Sequence, residues 1–210
     1  MPRYAISDIH GCSATFRALL REVNFSREDE LFLLGDYIDK GPDGIGVIEH
    51  IWELQAAGFN VKCLRGNHEQ MFINEVGRGE HSGVIPPNRH EETCRWMLGL
   101  DHYLETPGYL LVHAGLNFRV QNPLDNTYDM LWIRYWYDEI DREWLGDRII
   151  IHGHTPEPQH SVKFGIEKMH TRQRVCIDSG CAHSHKGMGW LTALNLDTRE
   201  GTFLRNRETG

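Results

Sequence analysis

The chain has neither a long hydrophobic run nor an excess of positive charge, and these two absences exclude several classes of protein. No apolar segment among its 210 residues approaches the roughly 18 residues that a membrane-spanning helix requires. Its formal net charge of −8 provides no overall basic surface for nucleic acid. We therefore expect neither a membrane nor a nucleic-acid partner, and an anionic substrate would have to be attracted by a local positive site.

The chain also lacks a close pair of cysteines. Its five cysteines are an odd number and form no CxxC motif, which is typical of reduced thiols and not of a disulfide framework. The first residues, "MPRYAISDIHG", reach a predicted strand within four positions and contain no apolar core of a signal peptide. Together these features predict a cytoplasmic protein.

No internal repeat or low-complexity tract is present, and one short pattern recurs instead. Apolar runs at 4–6, 31–34 and 61–64 each lead into a glycine-containing turn and then into an amphipathic stretch. This alternation predicts an α/β domain with parallel strand pairing. The later runs are richer in strands, and "GWLTALNLD" followed by "GTFLRN" is typical of a hairpin. We therefore expect one domain, 1–210, with a mixed and possibly two-sheet architecture, interrupted by a loop at 77–92.

Polar side chains of one chemical kind follow five of the predicted strands. In open α/β sheets, the loops that leave the carboxyl ends of strands converge and form ligand sites. The residues concerned are Asp8 and His10, Asp36 and Asp39, Asn67 and His68, His113, and finally His152 and His154. Carboxylate, imidazole and carboxamide groups suit Mn, Fe or Zn, and the absence of cysteine from these turns argues against a structural zinc cage.

The number of these side chains is large for a single ion. A carboxylate shared between two ions about 3.5–4 Å apart would use them all. Taken singly, an Asp-Gly or His-Gly pair is typical of an ordinary turn, and Asn67-His68 after a glycine could cap a helix. Because these simpler readings do not explain why successive strands end in the same way, we favour a binuclear metal site.

These motifs resemble those of the phosphoprotein phosphatase family within the calcineurin-like metallophosphoesterases. The family pattern is GDxHG, GDxVDRG, GNHE, HAG or HGG, and GHT. The corresponding segments here are "SDIHG" at 7–11, "GDYIDKG" at 35–41, "RGNHE" at 65–69, "HAG" at 113–115 and "GHT" at 153–155. The "LWIR" at 131–134 resembles the Trp-x-Arg of small bacterial and phage-lambda-type members, and "IDSG" at 177–180 extends the match.

The resemblance implies an α/β sandwich of two mixed β-sheets flanked by helices, together with two divalent metal ions. Manganese is the expected metal, with iron or zinc as alternatives. The implied ligands of one metal are Asp8, His10 and Asp36, and those of the other are Asp36, Asn67, His113 and His154. Asp36 would then bridge the two metals, whereas His152 is not implied as a ligand.

The resemblance also implies a protein serine/threonine phosphatase that acts on a phosphoprotein or phosphopeptide. Its phosphate ester would be hydrolysed by direct in-line attack of a hydroxide that bridges the two metals. His68 is implied as the general acid, and Asp39 would orient its ring and keep it protonated. The implied phosphate contacts are Arg134, Lys40, Asn67 and Arg65.

Two residues depart from the family pattern. Ser7 replaces the first glycine of GDxHG, which exchanges one small residue for another. Lys40 replaces the arginine of GDxVDRG and keeps the charge, but it loses the planar fork that binds phosphate through two bonds. Arg65 has a second interpretation, because it could pair with a structural carboxylate.

Two other functions are compatible with the motifs. Symmetrical diadenosine tetraphosphate hydrolases share them but typically lack the acid at the position of Asp39, so the presence of Asp39 favours phosphomonoesters over dinucleoside polyphosphates. A protein-binding scaffold with a degraded site is disfavoured, because every ligand position is filled.

The remaining histidines and aromatics are expected to be ordinary. His183 and His185 are assigned to a polar loop, and His81 and His90 to the solvated loop at 77–92. An aromatic group could form either a stacking surface or part of the core, and it comprises Trp132, Tyr135, Trp136 and Tyr137.

Overall fold

Two mixed β-sheets packed face to face form the centre of the computed structural model, which describes residues 1–80 and 83–208. The nine strands of the described chain are β1 (Arg3–Ile6), β2 (Glu30–Leu33), β3 (Asn60–Cys63), β4 (Tyr103–Thr106), β5 (Tyr109–Val112), β6 (Ile149–His152), β7 (Arg174–Cys176), β8 (Trp190–Asn195) and β9 (Glu200–Arg205). One sheet has the order β3-β2-β1-β8-β9 and the other has the order β4-β5-β6-β7.

Parallel strands occupy the half of each sheet that carries the polar turns. In the first sheet β1, β2 and β3 are parallel, whereas β8 and β9 are antiparallel. In the second sheet β5, β6 and β7 are parallel, and β4 is antiparallel to β5. The turns after β1, β2, β3, β5 and β6 therefore leave from carboxyl ends that share one edge of the sandwich.

Alternation of side chains along β2 explains why the sheets stack. Phe32 and Leu34 point into the interface between the sheets, where they share a cluster with Leu111 and Ile151 of the second sheet. The neighbouring Leu31 and Leu33 point to the opposite face and pack against helices. Since both faces of this strand are buried, its sequence is a continuous apolar run and not an alternating one.

Six of the described helices cover the outer faces of the sheets, and the last one packs against the cluster between them. The helices are α1 (Ser13–Glu22), α2 (Gly44–Ala56), α3 (Asn67–Gly77), α4 (His90–Leu98), α5 (Thr127–Trp132), α6 (Arg142–Leu145) and α7 (Gln159–Arg172), with short 3₁₀ turns at Pro87–Arg89, Pro123–Asp125 and Tyr137–Glu139. The first four contribute to the cluster on the first sheet, and α5 and α6 contribute to the cluster on the second. No helix within the two described ranges is long and apolar enough to cross a membrane.

The expected fold of two mixed sheets flanked by helices is confirmed. The terminal hairpin is present as β8 and β9. The loop predicted at 77–92 is shorter, because α4 begins at His90. His90 is buried there, with Nε2 2.8 Å from the carbonyl oxygen of Ile85, so its assignment to a solvated loop was wrong. His81 lies outside the described residues.

Gly35 allows the turns after β2 and β3 to approach each other closely. Its φ is +95°, and a Cβ atom built on it would lie 2.6 Å from the backbone nitrogen of Gly66. Gly58 also has a left-handed φ, +82°, but apart from its chain neighbours no atom of the described part of the chain lies within 4 Å of the corresponding position. A substitution at Gly58 therefore measures the cost of a left-handed backbone alone, whereas a substitution at Gly35 adds the cost of a close contact.

We expect Gly35→Ala to destabilise the protein more than Gly58→Ala. The Gly58 variant should lose about 1–2 kcal/mol from the left-handed backbone alone, and the Gly35 variant should lose about 1–3 kcal/mol more from the clash. Urea unfolding of both variants measures the difference in the free energy of unfolding. Equal losses would show that the two turns can separate without cost.

Candidate metal centre

The turns that carry the polar residues have a strained backbone. The described chain contains nine non-glycine residues with a left-handed φ, and six of them are in these turns. The six are Asp8 (55°), His10 (47°), Asp36 (57°), Asp39 (71°), Lys40 (64°) and His154 (69°). Such conformations are uncommon outside glycine and persist where surrounding contacts hold them, which is typical of functional sites.

Backbone hydrogen bonds lock the first two turns together. The amide of Asp8 donates to the carbonyl of Gly35 at 3.2 Å, and the amide of His10 donates to the carbonyl of Asp36 at 2.8 Å. Further along, the amide of Gly41 donates to the carbonyl of His10 at 2.9 Å. The relative positions of the three side chains Asp8, His10 and Asp36 are therefore set by the backbone.

Three other hydrogen bonds join the first sheet to the second at the same place. The amide of His154 donates to both carboxylate oxygens of Asp8, at 3.0 and 3.2 Å. The Nδ1–H of His113 donates to the carbonyl of Leu34 at 2.8 Å. The site therefore contains residues that follow strands of both sheets.

Glu69 is a central residue of the site to which the sequence reasoning assigned no role. Its fully buried carboxylate accepts hydrogen bonds from the amides of Asp36 and Tyr37, both at 2.8 Å, and of Gly66 at 2.9 Å. Glu69 thereby holds the turn after β2 against the start of α3. The signal was available as a capping box, since a glutamate at the third helical position commonly bonds the residue that precedes the helix.

Asp36 is shared by two groups of side chains that could each hold a metal ion. In one group it faces His10 and His68, and in the other it faces His113 and His154, with the ligand atoms of each group within 4.8 Å of one another. Its Oδ2 lies 3.4 Å from Nε2 of His10, and its Oδ1 lies 3.5 Å from Nε2 of His113. Burial, reinforced by the charges of Asp8 and Glu69, raises the pKa of Asp36 well above its usual value.

The hydrogen bonds of His10 leave a lone pair directed at carboxylates. Its Nδ1 lies 3.1 Å from the carbonyl of Ile38, which can only accept, so Nδ1 carries the proton and Nε2 does not. Burial lowers the pKa of His10 to about 3, which keeps the ring neutral at physiological pH. Its unprotonated Nε2 therefore faces Asp36 Oδ2 and, at 3.8 Å, Asp8 Oδ1, with the ammonium group of Lys40 2.9 Å away.

The same arrangement occurs at His113. Because Nδ1 donates to Leu34, Nε2 presents a lone pair to the side-chain oxygen of Asn67 at 2.9 Å and to Asp36. Nδ1 of His154 lies 2.8 Å from the same Asn67 oxygen, and the other ring nitrogen, Nε2, is buried with no hydrogen-bond partner among the described residues. Hydrogen-bond acceptors that converge in this way are stabilised by a cation between them. Imidazole, carboxylate and amide oxygen ligands suit a pair of divalent metals.

The carboxylate of Asp8 is held in place beside these side chains by hydrogen bonds. It accepts from the hydroxyl of Ser7, the residue that replaces the family glycine, as well as from the amide of His154. It is 1% exposed. Ser7 therefore adds a bond to an implied metal ligand that glycine could not supply.

His68 and Asp39 form a hydrogen-bonded pair at the edge of the centre. Nδ1 of His68 lies 2.8 Å from Oδ2 of Asp39, and its Nε2 lies 3.9 Å from Asp36 Oδ2. Burial and the nearby Lys40 lower the pKa of His68, and Asp39 opposes them. Burial acts to raise the pKa of Asp39, but hydrogen bonds from the Lys40 amide and from His68 outweigh it and leave that pKa lowered.

The four implied phosphate contacts differ in how they are engaged. Lys40 Nζ lies 2.9 Å from Nε2 of His10, and Asn67 belongs to the metal-facing cluster. Arg134 is exposed, and its Nη1 lies 3.5 Å from the hydroxyl of Thr155, the residue after His154. Arg65 is 8% exposed and donates to two carbonyl groups and to Gln70, so a phosphate contact, which stays a prediction, would have to use its two remaining N–H groups.

The other histidines lie apart from the metal-facing atoms. His152 contacts the hydroxyl of Tyr137 at 3.2 Å and packs edge-on against Trp136, so its ring is directed into the core of the second sheet. His183 and His185 stack on each other with centroids 6.0 Å apart. In the described ranges none of these three belongs to a group of potential metal ligands.

The aromatic group divides into two sets. Trp136 is 2% exposed and forms part of the core, and Tyr137 stacks on Arg174. Tyr135 is 92% exposed. Trp132 is half-buried at the end of α5, beside the exposed ring of Tyr128.

Comparison with known families explains the converging turns. The sequence profile of the calcineurin-like phosphoesterases matches residues 1–187. The chain belongs to this family. Members of the calcineurin-like phosphoesterase family use divalent metals, in agreement with the two groups of donors around Asp36.

Two curated proteins and one solved structure are similar to the chain over most of its length. The symmetrical bis(5'-nucleosyl)-tetraphosphatase of Nitrosospira multiformis is 28% identical to this calcineurin-like phosphoesterase over 97% of this chain and 81% of that protein. The protein of the same name from Nitrosomonas europaea is 26% identical over 86% of this chain and 70% of that protein. A crystal structure of a candidate diadenosine tetraphosphatase superposes with a TM-score of 0.72 at 22% identity and covers 99% of this chain and 95% of that one.

These relatives contradict the expected protein serine/threonine phosphatase activity and the expected phosphoprotein or phosphopeptide substrate. By name, both curated proteins act on dinucleoside tetraphosphates, which are small nucleotides. The error came from the weight given to Asp39. A carboxylate that orients a histidine at 2.8 Å can assist any leaving oxygen, so its presence does not separate an ester from an anhydride.

We expect Glu69→Gln to weaken both folding and metal binding. The substitution places an amino group against backbone N–H donors that need acceptors, which should cost about 2–4 kcal/mol. Guanidinium unfolding measures the stability, and elemental analysis after dialysis against Mn²⁺ measures the metal content. Glu91→Gln is the matched control because Glu91 is 88% exposed. Normal metal content in the Glu69 variant would show that the turn after β2 is held by other contacts.

Proposed function

We propose that the chain hydrolyses dinucleoside polyphosphates by divalent-metal-dependent cleavage of a phosphoanhydride bond. The observation that carries this proposal is the similarity to two symmetrical bis(5'-nucleosyl)-tetraphosphatases, which spans 97% and 86% of this chain. Symmetrical cleavage of diadenosine tetraphosphate would consume one water molecule and release two molecules of ADP. The cluster of donors around Asp36 is consistent with this chemistry, because hydrolysis of phosphate compounds requires strong stabilisation of negative charge.

The residues proposed to hold the metals are those whose donors converge. Asp8, His10 and Asp36 would bind one ion, and Asn67, His113 and His154 would bind the other together with Asp36. When bound, a pair of divalent ions would lower the pKa of water toward neutrality and neutralise charge on the phosphoryl oxygens. Mn²⁺ is the proposed metal, since hard oxygen and imidazole donors suit it.

Positive side chains at the rim would hold the polyphosphate. Arg134 is exposed and adjacent to His154, so its guanidinium can bind phosphoryl oxygens through two parallel hydrogen bonds. Lys40 provides a second positive charge beside His10. These local cations provide the attraction that the net charge of −8 does not.

His68 is proposed to donate a proton to the leaving phosphate, with Asp39 as its orienting partner. Asp39 fixes Nδ1, which leaves Nε2 directed toward Asp36 and the reacting group. A leaving nucleoside diphosphate ends in a phosphate with a pKa of about 6, so it needs less help from an acid than an alkoxide does. The contribution of His68 should therefore lie near the lower end of the usual range of about 10²–10⁴-fold.

The activity can be tested by incubating the purified protein with diadenosine tetraphosphate and Mn²⁺ and separating the products by anion-exchange chromatography. We expect ADP as the product, with loss of activity on chelation and in Asp36→Asn. A phosphoserine peptide serves as the comparison substrate under the same conditions. Faster hydrolysis of the peptide than of the dinucleotide would contradict the proposal.

We expect Asp39→Asn to move the alkaline limb of the pH profile to lower pH. His68 must be protonated to act as an acid, so activity falls as pH rises through its pKa. Removing the carboxylate that raises this pKa lowers it further, and the fall in kcat/KM then begins at lower pH. The measurement is kcat/KM for the dinucleotide between pH 5 and 9.5.

Asp147→Asn is the control for this experiment, because Asp147 is exposed and precedes β6 at the end opposite to the site. An unchanged alkaline limb in Asp39→Asn, with reduced kcat, would assign Asp39 a purely geometric role.

A further inference from the structure

A cavity of about 480 Å³ lies between α3 and α5, apart from the metal-facing side chains. We call it the α3–α5 pocket, and its lining includes Gln70, Asn74, His102, Tyr128, Leu131 and Trp132. Its volume is within the range of about 300–1,000 Å³ typical of small-molecule sites. No role in binding metal or phosphate has been assigned to these six residues.

One wall of the pocket is an aromatic pair. Tyr128 and Trp132 are four residues apart on α5, so they lie on the same face of the helix. Their ring centroids are 6.3 Å apart and their planes differ by 30°. Tyr128 is 70% exposed, although burying an aromatic ring is normally favourable. An exposed ring in a pocket is the kind of surface on which nucleobases stack.

The opposite wall is a chain of ordered polar groups. Nη1 of Arg65 donates to Oε1 of Gln70 at 3.0 Å, and Nε2 of Gln70 donates to Oδ1 of Asn74 at 3.0 Å. This chain fixes the orientation of both amides, which carry donors and acceptors. A flat heterocycle between the two walls would therefore meet an aromatic face on one side and hydrogen-bonding groups on the other.

The pocket is connected to the metal centre through both helices. Gln70 and Asn74 follow Asn67 by three and seven residues along α3, which places them about 4.5 and 10.5 Å along the same face. At the end of α5 the chain continues from Trp132 to Arg134, whose guanidinium lies near Thr155. A polyphosphate held between Asn67 and Arg134 would have this pocket beside it.

Charge distinguishes this pocket from its neighbour. A second cavity, of about 350 Å³, is lined by Arg134 together with three acidic residues, Asp138, Glu139 and Glu157. None of the described residues that line the α3–α5 pocket is acidic, and Arg65 lies in its wall. The excess of carboxylates in the acidic cavity would disfavour a substrate that carries a polyanionic chain, whereas the α3–α5 pocket would accept it.

We propose that the α3–α5 pocket binds one nucleoside of the substrate, with its base stacked on the Tyr128–Trp132 pair. This inference rests on the proposed dinucleoside polyphosphate hydrolysis for the identity of the substrate. It assigns nucleotide selectivity to aromatic side chains other than those proposed to bind the metals and the phosphates.

The test compares two substrates that share the anhydride bond, diadenosine tetraphosphate and inorganic tetraphosphate. The measured quantity is the ratio of their kcat/KM values. We expect Tyr128→Ala to lower this ratio about tenfold, chiefly through KM for the dinucleotide, and Tyr128→Phe to restore it, because the stacking face is retained. Tyr135→Ala is the matched control, since Tyr135 is an exposed aromatic beside the acidic cavity, and it should leave the ratio within about twofold of the wild type.

An unchanged ratio in Tyr128→Ala, or a larger drop in Tyr135→Ala, would overturn the assignment. Failure of the proposed function would look different, because the wild type would then not cleave the dinucleotide at all. In that case calorimetry with AMP and with inorganic phosphate tests whether the α3–α5 pocket binds a nucleoside. AMP binding about tenfold weaker in Tyr128→Ala, with phosphate binding unaltered, supports it. Equal AMP binding in both proteins, or none, overturns it.

Discussion

The site depends on one electrostatic constraint, the convergence of unprotonated acceptors on the buried carboxylate of Asp36. Neutral imidazoles from His10 and His113 direct lone pairs at its two oxygens, and burial together with Asp8 and Glu69 raises its pKa. Such a cluster is unfavourable unless cations compensate it. The left-handed turns and the backbone bonds around them hold acceptors together that would otherwise separate. The strain of the left-handed turns is typical of a functional site, and here it positions side chains that could bind divalent metals.

The convergence of these polar side chains could be predicted from the sequence because each follows a strand in a short motif, and the carboxyl ends of parallel strands share one edge of a sheet. The support around them was harder to predict. Glu69 was visible only as part of a motif, whereas its three accepted amide bonds depend on how the turns pack. Arg65 donates to carbonyl groups in the last turn of α4, which belong to residues more than thirty positions away.

The substrate was the part that local motifs could not predict. Asp39 was read as a sign of ester hydrolysis, but the pair it forms with His68 concerns proton transfer and not the identity of the group that leaves. Selectivity between nucleotides and other phosphates requires surfaces beyond the reacting atoms. The α3–α5 pocket combines Gln70 with Tyr128, which are 58 positions apart in the sequence, so no local pattern could have indicated it.

The hydrogen bonds that run from His154 to Asp8 and from His113 to Leu34 also bear on how the protein unfolds. They connect the two sheets through the donors of the metal centre, so the sandwich cannot open at this edge while the site stays intact. Free energy released when cations bind these donors is therefore available to resist separation of the layers. Metal binding and the stability of the sandwich would therefore be linked, and removal of the metal would also lower the free energy of unfolding of the domain.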